Sequence, residues 1–260
     1  MLVTASVPRP APAVVCRMPQ GDCPICTLLY LPWSRGPYLA AIGLNRDEQY
    51  GRPSAPPCWW SPSRGGDGFF APRDLEAGGT WFGLGEQGLF AAITNGHQPG
   101  PFRHDRSRGE LVVDALRAGH FDRAVSILTA RDAYAYASCY LLLAQHGTTA
   151  YLTIDRDGSF RSAMDRGHAH TLRNSGLDAH DVPWAGATRR GRGTARDLRT
   201  LRSALISHES PSPLCRHGAE AGTRSCAIVL LAATLKASRL FYADGRPCET
   251  PMTRIRFDVG

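Results

Sequence analysis

The chain has 260 residues, of which 43% are hydrophobic and 20% charged, a composition typical of a soluble globular protein with one sizeable core. The net charge is +7, but the arginines are scattered and alternate with acids, which disfavours nucleic acid and membrane surfaces as partners. No apolar run approaches the roughly 20 residues that a membrane-spanning helix needs.

Residues 1–25 are predicted to be a leader, a propeptide or a misassigned start, ahead of a single domain over residues 26–260. The first 17 residues are rich in Pro and Ala and lack the basic start and continuous apolar segment of a signal peptide. The eight cysteines are too sparse for a disulfide scaffold, so reduced thiols and a cytoplasmic location are predicted.

Apolar runs separated by turn residues predict strands along most of the domain. Residues 27–31 and 38–44 should pair as a hairpin across the turn PWSRGP, and residues 79–84 and 89–94 should form a second hairpin. Later strands are predicted at 139–145, 149–154, 168–174, 225–232 and 239–243. The segment 53–67, with its prolines and glycines, is predicted to be the one long irregular loop within the domain.

Three helices are predicted between the groups of strands. The first follows an S-x-x-E capping box at Ser107 and Glu110 and ends at Gly119, and the second covers about 122–130. The third covers 194–206, where Leu201 and Leu205 recur at helical spacing. Because strands and helices do not alternate as βαβ units, the fold class predicted is α+β, with antiparallel sheets packed together and helices on the outer faces.

Cysteines and histidines offer several kinds of chemistry. Cys23 and Cys26 form a CxxC pair, but a redox CxxC normally opens a helix, whereas Cys26 begins the strand-like run CTLLYL. Cys139 and Cys226 lie in apolar runs and are predicted to be buried packing residues. A separate pair of histidines, at 168 and 170, shares a strand face without an evident third ligand, so a surface pair is favoured and no metal site is predicted.

The most distinctive motifs are LNRDEQYGRPSAPPCWW at 44–60, RDLEAGGTWFG at 73–83 and ITNG at 93–96. Shorter ones are Cys26-Thr27, SRGELV at 107–112, LRNSGLD at 172–178 and GTRS at 222–225. On these motifs the chain, from about residue 26 onward, closely resembles the NRDE family, also called TANGO2-like (transport and Golgi organisation). The resemblance implies an N-terminal-nucleophile (Ntn) hydrolase fold, a four-layer αββα sandwich.

Family members usually begin Met-Cys, so removal of the methionine makes cysteine the first residue. Such a cysteine carries its own base, because its α-amine titrates near 8 and lies within a few Å of the thiol. A remoter resemblance, to Ntn hydrolases of the bile-salt hydrolase and penicillin V acylase type, implies a set of site residues in the same order. They are Cys26, Arg46, Asp47, Asn95, Asn174 and Arg224.

The resemblance also implies a role for each residue. A guanidinium of Arg46 or Arg224 would lower the pKa of the Cys26 thiol, and Asp47 would hold the α-amine. Asn95 would contribute to an oxyanion hole, and the residue at 174 would orient the substrate amide or the amine. The match at Arg46 departs from the R-x-x-D spacing of the bile-salt hydrolase type.

Two of these residues have simpler interpretations. Asp47 could form an ion pair with Arg46 or with another arginine. Asn95, directly before Gly96, could be a turn residue with a positive φ angle. Both interpretations are left open by the sequence.

Cys26 departs from the family because 25 residues precede it. While a peptide bond joins Ile25 to Cys26, the nitrogen is an amide and cannot act as a base. Cleavage before Cys26 is favoured; the alternatives are a start nearer Cys26, and a fold retained without the chemistry. A start at Met18 would still leave eight residues ahead of the cysteine.

The function predicted is an Ntn-type cysteine amidohydrolase or acyltransferase that acts on a small-molecule amide or acyl group through an acyl-enzyme on Cys26. The mechanism requires no metal and no organic cofactor. The alternative, which rests on the family resemblance alone, is a non-catalytic protein that handles haem, acyl-CoA or lipid on the same fold.

Overall fold

The computed structural model of the protein describes residues 26–63, 65–96, 105–155, 158–163, 168–174, 176–178, 191–209 and 213–258. The predictions about residues 1–25, including those about Cys23, lie outside the described residues. Of the α-helices in the described ranges, none has the length and apolarity needed to cross a membrane.

The described ranges form fourteen β-strands, three α-helices and one short 3-10 helix at Ala133–Ala135. The strands are β1 Thr27–Pro32, β2 Ala40–Gln49, β3 Ser54–Trp60, β4 Phe69–Asp74, β5 Phe82–Gly85, β6 Phe90–Asn95, β7 Cys139–Gln145, β8 Thr148–Asp155, β9 Gly158–Ala163, β10 His170–Arg173, β11 Gly176–Asp178, β12 Ala221–Leu231, β13 Arg239–Ala243 and β14 Thr253–Ile255. The helices are α1 Gly109–Ala118, α2 Phe121–Thr129 and α3 Ala195–Leu205.

The strands form two seven-stranded antiparallel sheets. The first sheet has the order β11-β10-β1-β2-β12-β13-β14, and the second has the order β3-β4-β5-β6-β7-β8-β9. Both predicted hairpins are confirmed, because β1 pairs with β2 and β5 pairs with β6. The three predicted helices are also present, within one or two residues of the predicted bounds.

The two sheets pack face to face, and helices cover both outer faces. Buried side chains such as Ile42, Phe82 and Phe90 form a core between the sheets. On the outer face of the first sheet, Leu201 and Leu205 of α3 pack in a second cluster, and α1 and α2 cover the second sheet through a third cluster. This arrangement is the predicted four-layer αββα sandwich.

Side chains along β2 alternate between these layers. Ile42 and Leu44 belong to the core between the sheets, whereas Ala41 belongs to the cluster under α3. Because successive side chains of a strand point to opposite faces, Arg46 faces the space between the sheets, and Asp47 faces the outer layer. This alternation determines the geometry of the candidate site.

The prediction of an irregular loop at 53–67 was wrong for residues 54–60. Residues Ser54–Trp60 form β3, which pairs antiparallel with β4 at the edge of the second sheet. A register shift between Ala55 and Cys58 accommodates Pro56 and Pro57. Proline has no N–H for the ladder, but an edge strand and a bulge both tolerate that loss, so the prolines did not exclude a strand.

Two of the distinctive motifs meet at a close contact of glycine backbones. A Cβ added at Gly79 would lie 2.7 Å from the carbonyl carbon and 2.9 Å from the Cα of Gly109, the first residue of α1. The neighbouring Thr80 N–H donates to the Gly109 carbonyl at 3.4 Å. The turn after β4 and the start of α1 therefore fit together only when both positions lack a side chain.

The substitution Gly79→Ala should lower the free energy of unfolding by about 1–3 kcal/mol, because backbone atoms must move to admit the methyl group. Urea unfolding followed by circular dichroism measures this loss. Gly51→Ala is the matched control, since a Cβ there meets nothing within 4 Å, and its effect should stay within about 0.5 kcal/mol. Equal effects of the two substitutions would contradict the proposed fit.

Candidate active site

Cys26 lies at the end of the first sheet between two other predicted site residues. β1 is flanked by β10 on one side and by β2 on the other, with continuous antiparallel registers. When these registers are extended to Cys26, Asn174 stands opposite it on one side and Arg46 on the other. Neighbouring strands are about 5 Å apart, so the three residues form one row across the sheet end.

The next strand in the row brings Arg224 to the same place. β12 pairs Ser225 with Arg46 and Thr223 with Asp47, so Arg224 is the extra residue of a bulge between them. A bulge redirects a side chain away from the regular alternation of the strand. The GTRS motif is therefore the segment in which β12 bulges beside the NRDE motif of β2.

The guanidinium of Arg46 is buried between the two sheets. Its Cζ lies 4.4 Å from the centroid of the Trp81 ring, and its Nη2 lies 3.6 Å from Asp74 Oδ2 and 3.7 Å from Glu48 Oε2. Within the described residues, Nη1 and Nη2 have no partner at hydrogen-bond distance. Arg46 thus connects NRDE to the RDLEAGGTWFG motif and retains N–H donors for a carboxylate or an oxyanion.

Asp47 lies on the opposite face of β2 and is 1% exposed. Its Oδ1 accepts a hydrogen bond of 2.7 Å from the Thr223 hydroxyl. Its Oδ2 is buried and has no hydrogen-bond partner among the described residues. The alternative of an ion pair with Arg46 is therefore wrong, because strand alternation sends the two side chains to different layers.

Burial raises the pKa of Asp47 to about 7, although the Thr223 hydrogen bond and the charge of Arg216 act in the opposite direction. A carboxyl group with one unpartnered oxygen is costly to ionise in such a place. In the uncleaved chain, Asp47 therefore holds a proton over much of the range below neutral pH.

The Cys26 thiol is half-buried and lies 3.6 Å from the carbonyl oxygen of Asp47. Burial raises the pKa of the thiol to about 12, and the Asp47 charge adds to this, whereas the charge of Arg46 lowers it. The predicted effect of the Arg46 charge on the thiol pKa is therefore present, but in the uncleaved chain burial outweighs it. In this form Cys26 is a neutral thiol at neutral pH.

Asn95 ends β6, in the second sheet, where its backbone pairs with Cys139. The interpretation of Asn95 as a turn residue is wrong, because His146 is the one non-glycine residue in the described ranges with a positive φ. Its pairing partner, Cys139, packs in the cluster with α1 and α2, so Asn95 shares that outer face. The oxyanion role of Asn95 stays a prediction.

Thr94 is a buried polar residue that was not predicted as a site residue. Its pairing partner, Tyr140, packs against the core between the sheets, so alternation directs Thr94 toward the first sheet. The Thr94 hydroxyl is buried and has no hydrogen-bond partner among the described residues. The period of two along β6 was the signal that could have identified it.

Burial decides the predictions made for Cys139, Cys226 and His170. Cys139 and Cys226 are buried in apolar clusters, as predicted. The prediction of a surface pair of histidines was wrong for His170, which is 3% exposed within β10, next to the central strand β1.

Comparison with known proteins identifies the family. The profile of the family described as Transport and Golgi organisation 2 matches residues 31–212. The chain belongs to this family. A segment of 85 residues is 36% identical to the Transport and Golgi organization protein 2 homolog of Bos taurus, and one of 88 residues is 38% identical to that of Homo sapiens. Each alignment covers 33% of this chain and 31% of the relative, so the chain matches about a third of the length of these relatives.

Two solved structures are similar to this TANGO2 family member. The Caenorhabditis elegans ortholog of N-acylethanolamine-hydrolyzing acid amidase is 11% identical, with a TM-score of 0.50 over 79% of this chain and 92% of that one. A mutant of conjugated bile acid hydrolase from Clostridium perfringens is 10% identical, with a TM-score of 0.48 over 90% of this chain and 97% of that one. The two antiparallel sheets and the first of these similarities show the Ntn-hydrolase fold.

The raised pKa of Asp47 predicts a dependence of stability on pH. The folded state binds more protons than the unfolded state between about pH 4 and 7, so stability should fall as pH rises through this window. In a full-length Cys26→Ala background, Asp47→Asn should remove that loss. The gain in unfolding free energy from Asp47→Asn should therefore grow between pH 4 and pH 8, by up to about 4 kcal/mol.

Urea unfolding at a series of pH values measures this gain. Asp258→Asn, at an exposed position, is the control for the loss of one carboxylate, and its effect should stay within about 0.5 kcal/mol. A gain from Asp47→Asn that stays constant from pH 4 to pH 8 would show that Asp47 ionises normally in the folded chain.

Proposed function

We propose that this TANGO2 family member is an Ntn-type cysteine amidohydrolase or acyltransferase of the cytoplasm, with Cys26 as nucleophile after cleavage of the bond between Ile25 and Cys26. The observation that supports the proposal is the buried, unpartnered Oδ2 of Asp47 beside the position where the new amine would form. A small-molecule amide or acyl group is the substrate in this proposal.

The strand register determines where the new amine would lie. Cys26 stands opposite Arg46, so the nitrogen of Cys26 lies on the side of Asp47. Because neighbouring strands are about 5 Å apart, a new α-ammonium at this position would come within reach of the Asp47 carboxylate. That ammonium would supply the missing partner of Oδ2, and its charge would lower the pKa values of both the carboxyl group and the thiol.

The proposed reaction has two stages. The α-amine of Cys26 accepts the thiol proton, and the thiolate attacks the acyl carbon to give a tetrahedral oxyanion. Collapse of this intermediate breaks the carbon–nitrogen bond, and the ammonium returns the proton to the leaving amine. Water, or another amine or thiol, then attacks the thioester of Cys26 and releases the acyl group as an acid or a new amide or thioester.

Polar groups of both sheets would assist these steps. The unused N–H donors of Arg46 suit a substrate carboxylate or the developing oxyanion. Asn174, beside Cys26, would orient the amine or the substrate amide, and Arg224 would add positive charge. The second sheet offers two candidates for the oxyanion donor. The family resemblance implies Asn95, whereas Thr94 lies on the face that points toward the first sheet.

The uncleaved chain is the inactive precursor in this proposal. Its Cys26 nitrogen is an amide without a basic lone pair, and the pKa of its thiol is about 12. Before cleavage, the chain therefore has neither the amine base nor a thiol that ionises readily. Cleavage thus supplies the base and the charge in one event.

The cleavage hypothesis predicts the N-terminus of the mature chain. Intact-mass measurement of purified protein should give a chain that begins at Cys26. A chain that starts at residue 1 or residue 18 and is nevertheless active would refute the cleavage hypothesis. If the chain cuts itself, Cys26→Ala should keep its leader, whereas cleavage of that variant would indicate an external protease.

The second prediction concerns activity. On a panel of N-acyl amino acids and acyl-CoA thioesters, Cys26→Ala should lose at least about 10³-fold in kcat/KM relative to the mature wild type. Cys58→Ala, which changes an exposed cysteine of β3, is the control and should retain the rate. Equal rates for Cys26→Ala and wild type would exclude the enzyme hypothesis.

The same assay separates the two oxyanion donors. A loss of about 10² to 10³ in kcat on Asn95→Ala, with Thr94→Val unaffected, is expected if the family role of Asn95 applies. The reverse pattern would assign the donor to Thr94.

Binding of haem or acyl-CoA without turnover, and unchanged in Cys26→Ser, would instead support the non-catalytic alternative.

A further inference from the structure

Four potential metal ligands converge at the end of the first sheet. They are His208, Cys215, His217 and Cys248, and their ligand atoms all lie within 4.8 Å of one another. The first three belong to the segment between α3 and β12, and Cys248 follows β13. No metal site was predicted from the sequence, because these residues form no recognisable spacing motif.

We propose that this cluster binds one Zn²⁺ ion in a tetrahedral Cys2His2 site. Zinc–sulfur and zinc–nitrogen bonds of about 2.3 and 2.0–2.1 Å require ligand atoms about 3.3–3.8 Å apart in a tetrahedron. The two Sγ atoms are 3.4 Å apart, and the His217 Nε2 lies 3.7 Å from Cys215 Sγ and 3.2 Å from Cys248 Sγ. The widest pair in the cluster closes by about 1 Å when the ion binds.

The ring of His208 is already oriented for a metal. Its Nδ1 lies 3.0 Å from the carbonyl oxygen of Cys215, where an Nδ1–H donates the hydrogen bond. This bond fixes the tautomer in which Nε2 has a free lone pair. A backbone carbonyl that holds the second ring nitrogen is the usual support of a zinc-binding histidine.

His217 has a carboxylate in the corresponding position. Its Nε2 faces the two sulfurs, and its Nδ1 lies 3.6 Å from Glu249 Oε1 and 2.7 Å from Arg246 Nη1. Zinc on Nε2 puts the ring proton on Nδ1, so Nδ1–H donates to Glu249 and the guanidinium of Arg246 turns away. Arg246 then keeps its ion pair with Glu249, whose Oε2 lies 3.1 Å from Nε.

The ligand chemistry selects the metal and its role. Two thiolates and two imidazoles in a tetrahedron favour Zn²⁺ over metals that prefer oxygen ligands. Four protein ligands leave no open coordination position, which is typical of a structural ion. The competing chemistry is a Cys215–Cys248 disulfide, but the Sγ separation of 3.4 Å is well beyond a bond length of about 2.05 Å.

The segment that holds three of the ligands also supports the candidate active site. Asn45 Nδ2 donates to the carbonyl oxygen of Leu214 at 2.7 Å. The N–H of Arg216 donates to Thr223 Oγ1 at 2.9 Å, and Thr223 donates in turn to Asp47. By joining this segment to the turn after β13, zinc fixes the residues that hold Asp47 in place.

The test is the metal content of the full chain, purified under reducing conditions and measured by elemental mass spectrometry. We expect one zinc per chain, lost in Cys248→Ser and in His217→Ala but kept in Cys58→Ser, which changes an exposed cysteine of β3. Replacement by Co²⁺ should give the visible absorption of a tetrahedral thiolate complex. Far-ultraviolet circular dichroism confirms that each variant is folded, and His208→Ala serves if another variant is not.

Three outcomes would overturn the proposal. One is wild-type protein that neither contains zinc nor takes up added Zn²⁺ or Co²⁺. Another is zinc retained in full by folded Cys248→Ser and His217→Ala. The third, in protein purified without reductant, is a mass lower by two hydrogen atoms in the wild type but not in the Cys248→Ser variant, which would assign Cys215 and Cys248 to a disulfide. The readout is independent of any activity at Cys26.

Discussion

The alternation of side chains at the end of β2 is the constraint on which the candidate site depends. Within one short stretch, Asn45 and Asp47 face the layer of α3, whereas Arg46 and Glu48 face the space between the sheets. Asn45 donates to the carbonyls of the segment that follows α3, and Arg46 contacts Trp81 and Asp74 of the other sheet. A slip of one residue in register would exchange these partners and bury a charge in each wrong layer.

This stretch places polar groups where burial is costly. Burying a carboxyl group or a guanidinium without full hydrogen bonding costs several kcal/mol of lost solvation. A fold that served only stability would replace both groups. In the uncleaved chain the cost is reduced because Asp47 retains a proton and Cys26 remains a thiol. The site therefore has its unpartnered groups beside the position at which cleavage would introduce a new charge.

The sequence predicted the architecture better than the site geometry. Hairpins and helices follow from local patterns, such as the turn of PWSRGP and the leucine spacing of α3, so those elements were predicted close to their observed bounds. The strand β3 was missed because Pro56 and Pro57 argue against a central strand, and nothing local reveals that β3 lies at an edge. That position depends on the order of the whole sheet.

The site residues were identified by family resemblance, and their relations came from the fold. Arg46 and Asp47 are adjacent in the sequence, so an ion pair between them was a reasonable interpretation. Strand alternation directs the two side chains to different layers. The metal-ligand cluster was missed for the opposite reason. Three of its residues lie within 208–217, but Cys248 is distant in sequence and joins them only because β12 and β13 form a hairpin.

Asp47 connects the candidate active site to the segment that contains the proposed zinc ligands. Its Oδ2 has no hydrogen-bond partner among the described residues, and its Oδ1 accepts from Thr223, which in turn accepts from the segment that contains Cys215 and His217. Thr223 and the segment beyond it therefore help to set the position of the carboxylate. A small displacement of that segment would move Asp47 without touching Cys26, and a shift of about 1 Å at such a group is enough to alter rates by orders of magnitude. A structural ion in the outer layer and a nucleophile at the sheet end would therefore be coupled through one hydrogen-bonded threonine.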